Sequence, residues 1–482
     1  MENGKDIADF AVNYGVSHGA SYIEARVVDS RDESYATRNG VILSGGITYS
    51  SGIAIRVLAN GGMGFCSTAN LTKNTIEDVI EEAIKLAKAS KRKTPITFSD
   101  EKVVQAKWKT PVKIKFEDIS IEEKQKFMID IDKILNKEFR FKLPTRTFIL
   151  DLYSDEKYIV TSEGSKVESE NSIISTISFN TAKGKAGGEQ RMLNLGGTSG
   201  WEWIEEKNVV EKILDDNKCL VKAARNAIET NLNEVDVVIS GEVAGIMAHE
   251  NVGHPSEADR ILGREGAQAG ESFYLDLIQK GNLGDIKMGR DEVTIIDDPT
   301  RSGNSGFYLY DDECVKARPR YLIKKGMLNE LLLNREYASR YNTKSNAAAR
   351  AINYKREPII RMANTYFAPG DFTFEELFDD IKTGIYMKSF TEWNIDDRRF
   401  QSKYVGLEVY LIENGEITDT MIRRPILELT TFGILGNVDA VSKEFNSPHG
   451  YCGKGEPSQG VPVWLGGPHV RLRNINLGGK NK

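Results

Sequence analysis

Two histidines and a glutamate lie close together in the stretch AHENVGHPSEADR. His249, Glu250 and His254 form the pattern H-E-x-x-x-H in a chain of 482 residues that contains 5 histidines. Imidazole nitrogens are common zinc ligands, and a glutamate beside the first histidine can act as a general base toward a water molecule at the metal. The pattern therefore predicts a hydrolytic zinc site, with one residue more than the H-E-x-x-H of helical zinc proteases.

The extra residue has a geometric consequence. On a regular α-helix, residues i and i+4 lie about 40° apart around the axis, whereas i and i+5 lie about 140° apart. His249 and His254 can share a metal only if the helix is distorted between them. Either a π-type turn absorbs the extra residue, or the helix ends at Gly253, since glycine and Pro255 both disrupt regular helix. We expect one of these distortions between Ala248 and Pro255.

A catalytic zinc site needs a third protein ligand. Cys452 is one candidate because it lies among glycines in YCGKGEP, where the backbone can approach a metal closely. His449, in the same region of the chain, is its competitor, and several acidic residues are further candidates. We expect the other three cysteines to be small buried hydrophobic residues. The residues by themselves leave the choice between Cys452 and His449 open.

The hydrophobic pattern indicates which elements position these residues. VDVVIS is typical of a buried strand, and GEVAGIMAHENVGH after it predicts the helix that carries the histidines. Nearer the N-terminus, SYIEARVVD and GIAIRVLA alternate as strands do, and Asn39-Gly40 and Asn60-Gly61 predict hairpin turns. The polar stretch Asn231–Glu234 predicts a boundary. It separates an N-terminal αβ region (residues 1–230, as one unit or as 1–109 and 110–230) from a β-rich C-terminal domain (residues 235–482).

Composition excludes several classes of function. A mass of 53.8 kDa predicts two or three domains. A net charge of −6 argues against nucleic acid as a partner, because phosphate binding needs a concentrated basic surface. The chain contains neither a C-x-x-C pair nor an apolar run that could span a membrane, and its start lacks the apolar core of a signal peptide. We therefore expect a cytoplasmic protein with no membrane partner.

Three stretches of the chain resemble the signature sequences of the TldD/PmbA family, also called modulators of DNA gyrase. They are Ala248–Arg260, Arg361–Gly370 and Gly450–Pro468, and they occur in the family's order. GIAIRVLANGGMGFCST resembles the family's N-terminal signature, so the resemblance spans essentially the whole chain. It implies an α+β fold: an N-terminal αβ region with mixed sheets and a C-terminal antiparallel β-rich, barrel-like domain that carries a metal-binding helix.

The resemblance also implies a function. It assigns His249, His254 and Cys452 as zinc ligands, in preference to His449, and Glu250 as the general base. Because the PmbA-like branch lacks the metal motif, the chain resembles the TldD branch of metalloproteases. Members of this branch cleave short or unfolded peptides. The implied assembly is a dimer, either with a second copy or with a PmbA-like (TldE-like) paralogue.

The hypothesis for the reaction is that Glu250 deprotonates a zinc-activated water, which then attacks the peptide carbonyl. Asn251, Arg264 and Lys454 are candidates for stabilising the oxyanion. For peptide capture we favour pairing with an exposed strand edge, since backbone hydrogen bonds accept any extended sequence. The non-enzymatic alternative is a scaffold or partner subunit with a structural metal, for which His449 would be the fourth ligand.

Overall fold

The structure is a computed structural model that describes residues 2–184, 187–265, 270–445 and 449–478. Met1 and residues 479–482, at the outer ends of the two predicted regions, lie outside the described residues.

The α-helices are α1 (Glu2–Ser17), α2 (Lys73–Ala89), α3 (Ile121–Phe139), α4 (Trp203–Glu206), α5 (Val209–Asn226), α6 (Gly241–Ala248), α7 (Ala258–Ile261), α8 (Tyr274–Ile278), α9 (Arg335–Arg340) and α10 (Thr431–Asn437). The strands of the N-terminal half are β1 (Tyr22–Arg38), β2 (Val41–Ala59), β3 (Gly62–Thr68), β4 (Gln105–Lys109), β5 (Thr145–Thr161), β6 (Lys166–Lys183) and β7 (Gly188–Thr198). Those of the C-terminal half are β8 (Glu234–Ile239), β9 (Ile295–Asp297), β10 (Arg320–Lys324), β11 (Met327–Leu328), β12 (Ala349–Arg350), β13 (Ile359–Ile360), β14 (Thr365–Phe367), β15 (Thr383–Met387), β16 (Phe390–Ile395), β17 (Gln401–Gly406), β18 (Val409–Glu413), β19 (Glu416–Met421), β20 (Ile426–Thr430), β21 (Val438–Val441), β22 (His449–Lys454), β23 (Gln459–Trp464) and β24 (Val470–Gly478).

The N-terminal half is organised around one sheet of 7 strands in the order β3-β2-β1-β5-β6-β4, with β7 also paired to β6. It is mixed, since β4 and β6 are parallel and the other pairs are antiparallel. Both predicted hairpin turns are confirmed: Asn39 and Gly40 join β1 to β2, and Asn60 and Gly61 join β2 to β3, all four with positive φ. A two-residue turn with positive φ at both positions matches the twist of the strands it joins.

The two faces of this sheet have different environments. On one face, Ile23, Ala25 and Val27 of β1 pack with the apolar sides of α1 and α2, and Tyr35 packs with α3. Because alternate residues of a strand point to opposite faces, Glu24, Arg26 and their successors in β1 lie on the other face. Arg26 donates there to the carbonyl of Arg356, so the polar face is turned toward the C-terminal half.

The C-terminal half contains a sheet of 9 strands in the order β16-β17-β20-β24-β8-β15-β18-β19, with β21 paired to β24. A smaller sheet (β11-β10-β9-β14) and the β22–β23 hairpin lie beside it. Strand β8 is parallel to β15 and antiparallel to β24. The parallel pair is possible because the chain leaves β8 through α6 and reaches β15 only after a long crossover.

The α+β class is confirmed, and so are the mixed N-terminal sheet and the β-rich C-terminal half. The expectation of a barrel-like, antiparallel C-terminal domain differs from the structure in two ways. None of the sheets within the described ranges closes into a barrel, and the largest sheet includes the parallel β8–β15 pair. Strands before and after residue 110 share the N-terminal sheet, and the predicted domain boundaries stay predictions. Across the described ranges, no helix combines the length and apolarity needed to cross a bilayer.

Candidate metal centre

The helix that carries the two histidines is distorted at the predicted position. Helix α6 begins after Ser240, whose hydroxyl accepts hydrogen bonds from the backbone N–H groups of Glu242 and Val243. It ends at Ala248 and continues as a π-helix over His249–Gly253, in which the backbone N–H of His254 donates to the carbonyl of His249. A turn that closes between i and i+5 brings these residues to the same side of the helix. The prediction of a distortion between Ala248 and Pro255 is confirmed.

Close packing holds this segment in place. A Cβ on Gly245 would lie 1.9 Å from the carbonyl oxygen of Leu465, so α6 touches the backbone that follows the β22–β23 hairpin. A Cβ on Gly253 would lie 2.0 Å from the sulfur of Met362, so a larger residue there would require the Met362 side chain, after β13, to move. Glycine at these two positions therefore allows two distant parts of the chain to pack close to the histidines.

Cys452 is presented by the β22–β23 hairpin, where it lies opposite Val461. The guanidinium of Arg361, which is fully buried, donates to the backbone carbonyls of Cys452 and Gln459, one on each strand. A planar group with several fixed donors is well suited to hold two strands in one orientation. Arg361 thus connects the second signature stretch to the third.

The structure brings His249, His254 and Cys452 together. One donor atom from each of the three lies within 4.8 Å of the others, and all three residues are buried. The Nε2 of His254 is 3.4 Å from the Sγ of Cys452. A nitrogen and a sulfur bound to one tetrahedral zinc ion, at about 2.1 and 2.3 Å, would lie about 3.6 Å apart. The donor set and its spacing therefore fit a zinc ion.

The orientation of the His254 ring is set by its neighbour Glu257. The Nδ1 of His254 is 3.0 Å from the Oε2 of Glu257. Burial raises the pKa of this carboxyl, but Lys454, His254 and Arg260 outweigh burial and hold it well below its usual range. An ionised carboxylate can only accept a hydrogen bond, so Nδ1 carries a proton, and Nε2, on the side of Cys452, is the nitrogen that can face a metal.

The other two donors are also available for a metal. The Nδ1 of His249 is buried and has no hydrogen-bond partner, which is costly unless an ion or another group completes its environment. Burial lowers the pKa of His249, which favours the neutral imidazole that metals require. Burial alone would raise the pKa of Cys452, but His254 and Arg361 lower it to about 7. The thiolate is therefore accessible near neutral pH.

Glu250 lies in the π-helix between the two histidines and accepts a hydrogen bond from Arg399 at 3.2 Å. Burial raises its pKa, yet the neighbouring His254, His249 and Arg399 lower the pKa overall, so the carboxylate is ionised at neutral pH. At 8% exposure Glu250 is more accessible than His249 (3%), His254 (4%) or Cys452 (5%). Solvent therefore reaches the group at its glutamate side.

His449, the competing third ligand, is held elsewhere. Its Nδ1 is hydrogen-bonded to the hydroxyl of Ser305, and it alternates with Cys452 along β22, so the two side chains point to opposite faces. Within the described ranges the only His, Cys, Asp and Glu side chains that converge as metal ligands are His249, His254 and Cys452. A closed site with His449 as fourth ligand is therefore not favoured.

The three residues considered for oxyanion stabilisation are engaged in other contacts. The amide of Asn251 is hydrogen-bonded to Ser402, Thr431 and Tyr404 in the core. Arg264 is paired with Glu357 and Glu336. The ammonium of Lys454 lies 2.7 Å from Asp259 and 3.3 Å from Glu257. Lys454 therefore supports the carboxylate that orients His254.

Sequence reasoning missed three residues of this site: Glu257, Arg361 and Arg399. Glu257 had a usable signal, because it follows His254 by one turn in H-P-S-E and an acidic residue there can reach the imidazole. Arg361 lies inside a signature stretch, but the signature indicates only that the stretch matters and not what Arg361 does. Arg399 is 149 residues from Glu250 along the chain, and no local pattern connects them.

Comparisons with known proteins identify the family. Three family models match consecutive parts of the chain: PmbA/TldA metallopeptidase domain 1 over residues 23–87, the central domain over 114–230 and the C-terminal domain over 233–479. Together they account for most of the chain, and the third contains all four residues of the candidate site.

Individual relatives are similar over nearly their whole length. A metalloprotease of Methanocaldococcus jannaschii is 33% identical over 472 residues, which is 97% of this chain and 96% of that protein. A zinc metalloprotease TldD homolog of Saccharolobus solfataricus is 28% identical over 89% of this chain and 90% of that protein. The crystal structure of TldE from Thermococcus kodakarensis superposes with a TM-score of 0.76 at 15% identity, covering 98% of this chain and 100% of that one, which shows the fold alone.

Proposed function

The chain belongs to the PmbA/TldD family of metallopeptidases, and we propose that it hydrolyses short or unfolded peptides with a zinc ion held by His249, His254 and Cys452. The observation that carries this proposal is the convergence of those three buried donors beside the carboxylate of Glu250. A purely structural site would have no use for an ionised carboxylate at this position. Zinc is also the metal in the name of the Saccharolobus solfataricus relative.

The donor set favours zinc over harder cations. Two imidazoles and a thiolate suit a borderline-soft ion, whereas calcium and magnesium prefer oxygen ligands. Three protein ligands leave one tetrahedral position open, as in catalytic zinc sites. When bound, zinc supplies Lewis acidity, which lowers the pKa of a bound water to about 7 and polarises a peptide carbonyl.

Glu250 acts as the general base. Its carboxylate is ionised and lies where solvent reaches the site, so it can accept a proton from the attacking water and then pass that proton to the leaving amine. The hydrogen bond from Arg399 orients the carboxylate. Glu257 holds His254 in the tautomer that leaves Nε2 free for the metal.

Peptide capture takes place by backbone pairing at β16. This strand ends the order of the 9-stranded sheet. Its first residues, Phe390 and Thr391, are hydrogen-bonded to Arg191 and Gln190 of β7, so the edge available within the described part of the sheet is the remainder of the strand. Trp393 of β16 is 37% exposed and lies close enough to Glu250 to lower its pKa through a hydrogen bond. Pairing with an edge strand reads an extended backbone and not particular side chains, so the enzyme selects unfolded substrates.

The partner is a second chain of the same family, either its own copy or a TldE-like paralogue. Support comes from β2, where Val41, Leu43 and Tyr49 are 63%, 55% and 73% exposed. Over this segment β2 is paired with β1, while its pairing with β3 covers only Ile53–Ala59. An apolar, uncharged edge of this length is normally covered, because it would otherwise pair indiscriminately.

Metal content and hydrolysis together test the proposal. We expect about one zinc per chain in the purified wild type, a large loss in Cys452→Ala and no loss in Cys314→Ala, a matched control at another buried cysteine. Glu250→Gln should retain zinc and lose hydrolysis of an unstructured fluorogenic peptide. Zinc retained by Cys452→Ala would overturn the ligand set, and near-normal turnover in Glu250→Gln would overturn the base assignment.

A further inference from the structure

The polar face of the N-terminal sheet carries three aspartates around one tyrosine. Asp32 of β1 lies opposite Tyr153 of β5, and Asp151 and Asp155 are two residues to either side of Tyr153. Because residues two apart in a strand share a face, all four side chains point the same way. Diagonal neighbours across two strands are about 7–8 Å apart, which places three carboxylates around one patch.

This patch forms the floor of a cavity of about 330 Å³ between the two halves of the molecule. Opposite the floor lie Tyr451 and Pro462, which are paired across the β22–β23 hairpin, together with the segment from Arg350 to Asn353. We call it the acidic cavity, lined by Asp32, Asp151, Tyr153, Asp155, Asp312 and Tyr451. Tyr451 alternates with Cys452 along β22, so the cavity lies on the face of the hairpin away from the candidate metal ligands.

Its negative charge is incompletely balanced. Five carboxyl groups line the cavity against two cations, Lys157 and Arg350. Asp312 is compensated by Arg26 at 3.3 Å and by Lys157 at 3.5 Å. Glu33, at the edge of the cavity, is paired with Lys124. Within the described residues neither Asp32 nor Asp151 makes an ion pair, and Asp151 has only a hydroxyl donor, from Ser34. The cavity therefore presents a field that attracts a cation.

Asp155 supplies the independent sign of a ligand. Its side chain is buried, at 5% exposure, and lines the acidic cavity. Its Oδ2 accepts from the Tyr153 hydroxyl at 2.7 Å and lies 3.6 Å from Lys157, but its Oδ1 is buried with no hydrogen-bond partner. A buried carboxylate oxygen without a donor is unfavourable, and a donor entering the cavity would relieve it. Burial also raises the pKa of Asp155, as expected of a carboxylate that lacks such a donor.

The geometry decides which kind of cation fits. Within the described residues the carboxylates of this cavity do not converge closely enough to form a metal cluster, unlike the His249 group. The volume is near the lower end of the range for small organic ligands, about 300–1,000 Å³, and far larger than one ion needs. Ile173, Ile352 and Pro462 add apolar wall beside the carboxylates. Such a lining suits a charged head on an apolar stem.

We propose that the acidic cavity binds a primary ammonium or guanidinium group on an aliphatic stem, with the cationic head donating to Oδ1 of Asp155 between Asp32 and Asp151. Two sources share this chemistry: a lysine or arginine side chain of a peptide, and a free aliphatic diamine. The inference stands on the cavity alone and does not depend on peptide hydrolysis at the metal centre.

Calorimetric titration of the full-length chain tests the proposal. The probes are 1,5-diaminopentane, a short alanine peptide with one lysine, the same peptide with norleucine in its place, and calcium chloride. We expect the ammonium probes to bind and the norleucine peptide not to. Asp155→Asn should weaken binding by about tenfold or more, because a buried charge loses its partner. Asp32→Asn, at the exposed mouth, should weaken it several-fold with less risk to folding.

The control is Glu156→Gln, which removes a charge from the exposed neighbour of Asp155 on the opposite face of β5 and should leave binding unchanged. Thermal unfolding verifies that each variant is folded. Binding of both ammonium probes, or of only one, supports the proposal and identifies the peptide or the free amine as the source. It is overturned if the wild type binds no ammonium probe, if binding persists in both aspartate variants, or if calcium alone binds in an aspartate-dependent way.

Discussion

Glu257→Gln tests whether the residue behind His254 controls the metal. In the wild type the carboxylate accepts from Nδ1 of His254 at 3.0 Å and is itself held by Arg260 at 3.0 Å and Lys454 at 3.3 Å. The amide has nearly the same shape, but it carries no charge and presents an NH2 group as well as an oxygen. It can therefore support the tautomer in which Nε2 is protonated, and that tautomer cannot bind a metal through Nε2.

The magnitude follows from the role of such partners. Removing a residue that orients a metal-bound histidine typically weakens metal affinity 10- to 100-fold, which corresponds to about 1.4–2.7 kcal/mol. Here the charge is also lost beside two buried cations, so a value near the upper end is expected. Lys454 keeps Asp259 as a partner at 2.7 Å, and this limits the damage to the fold.

The assay is a zinc competition titration against a chromophoric chelator, combined with circular dichroism. Glu336→Gln is the matched control, because Glu336 is equally buried and is paired with Arg340 and Arg264 and not with a histidine. We expect Glu336→Gln to reduce stability while zinc affinity stays within about twofold of the wild type. A folded Glu257→Gln variant that binds zinc as tightly as the wild type would refute the reasoning.

Three further predictions concern stability. Lys454→Met should destabilise the chain by about 3–5 kcal/mol, because it leaves Asp259 buried without its ammonium partner and removes one of the two cations beside Glu257. A loss below about 1 kcal/mol in chemical denaturation would contradict this. Gly245→Ala should markedly lower the melting temperature, since its Cβ would lie 1.9 Å from a backbone oxygen. Gly436→Ala in α10, where nothing lies within 4 Å of the added Cβ, should leave the melting temperature unchanged or raise it. Equal effects of the two substitutions would contradict the packing argument. Burial raises the folded-state pKa of Asp155 above its ordinary value of 3.8, so the folded chain binds this proton more tightly than the unfolded chain. The folded chain therefore loses stability as pH rises through the raised pKa. Asp155→Asn removes this dependence, so its melting temperature relative to the wild type should shift upward between pH 4 and pH 7, and a shift in the opposite direction would contradict the assignment.

Much of the architecture could be read from local patterns, because local patterns reflect local physics. Alternating apolar residues and Asn-Gly pairs predict β1, β2, β3 and their turns, since the side-chain period of a strand and the positive φ of a turn are properties of a few consecutive residues. The distortion at His249–Gly253 was predictable for the same reason, because the angle between i and i+5 depends only on helix geometry. The open form of the C-terminal sheets was not predictable in this way, because strand order depends on pairings between distant segments.

The sequence by itself determined the type of chemistry: two histidines and a glutamate at a spacing that demands a π turn, and a cysteine in a glycine-rich stretch far along the chain. Only the tertiary structure decided the arrangement around them. It separated Cys452 from His449, because alternate residues of β22 point to opposite faces. It joined Glu257 to Lys454 and Glu250 to Arg399, pairs that no local period connects. Buried charges are compensated by whichever groups the fold brings near them, and that is a property of packing between distant segments and not of any short stretch of sequence.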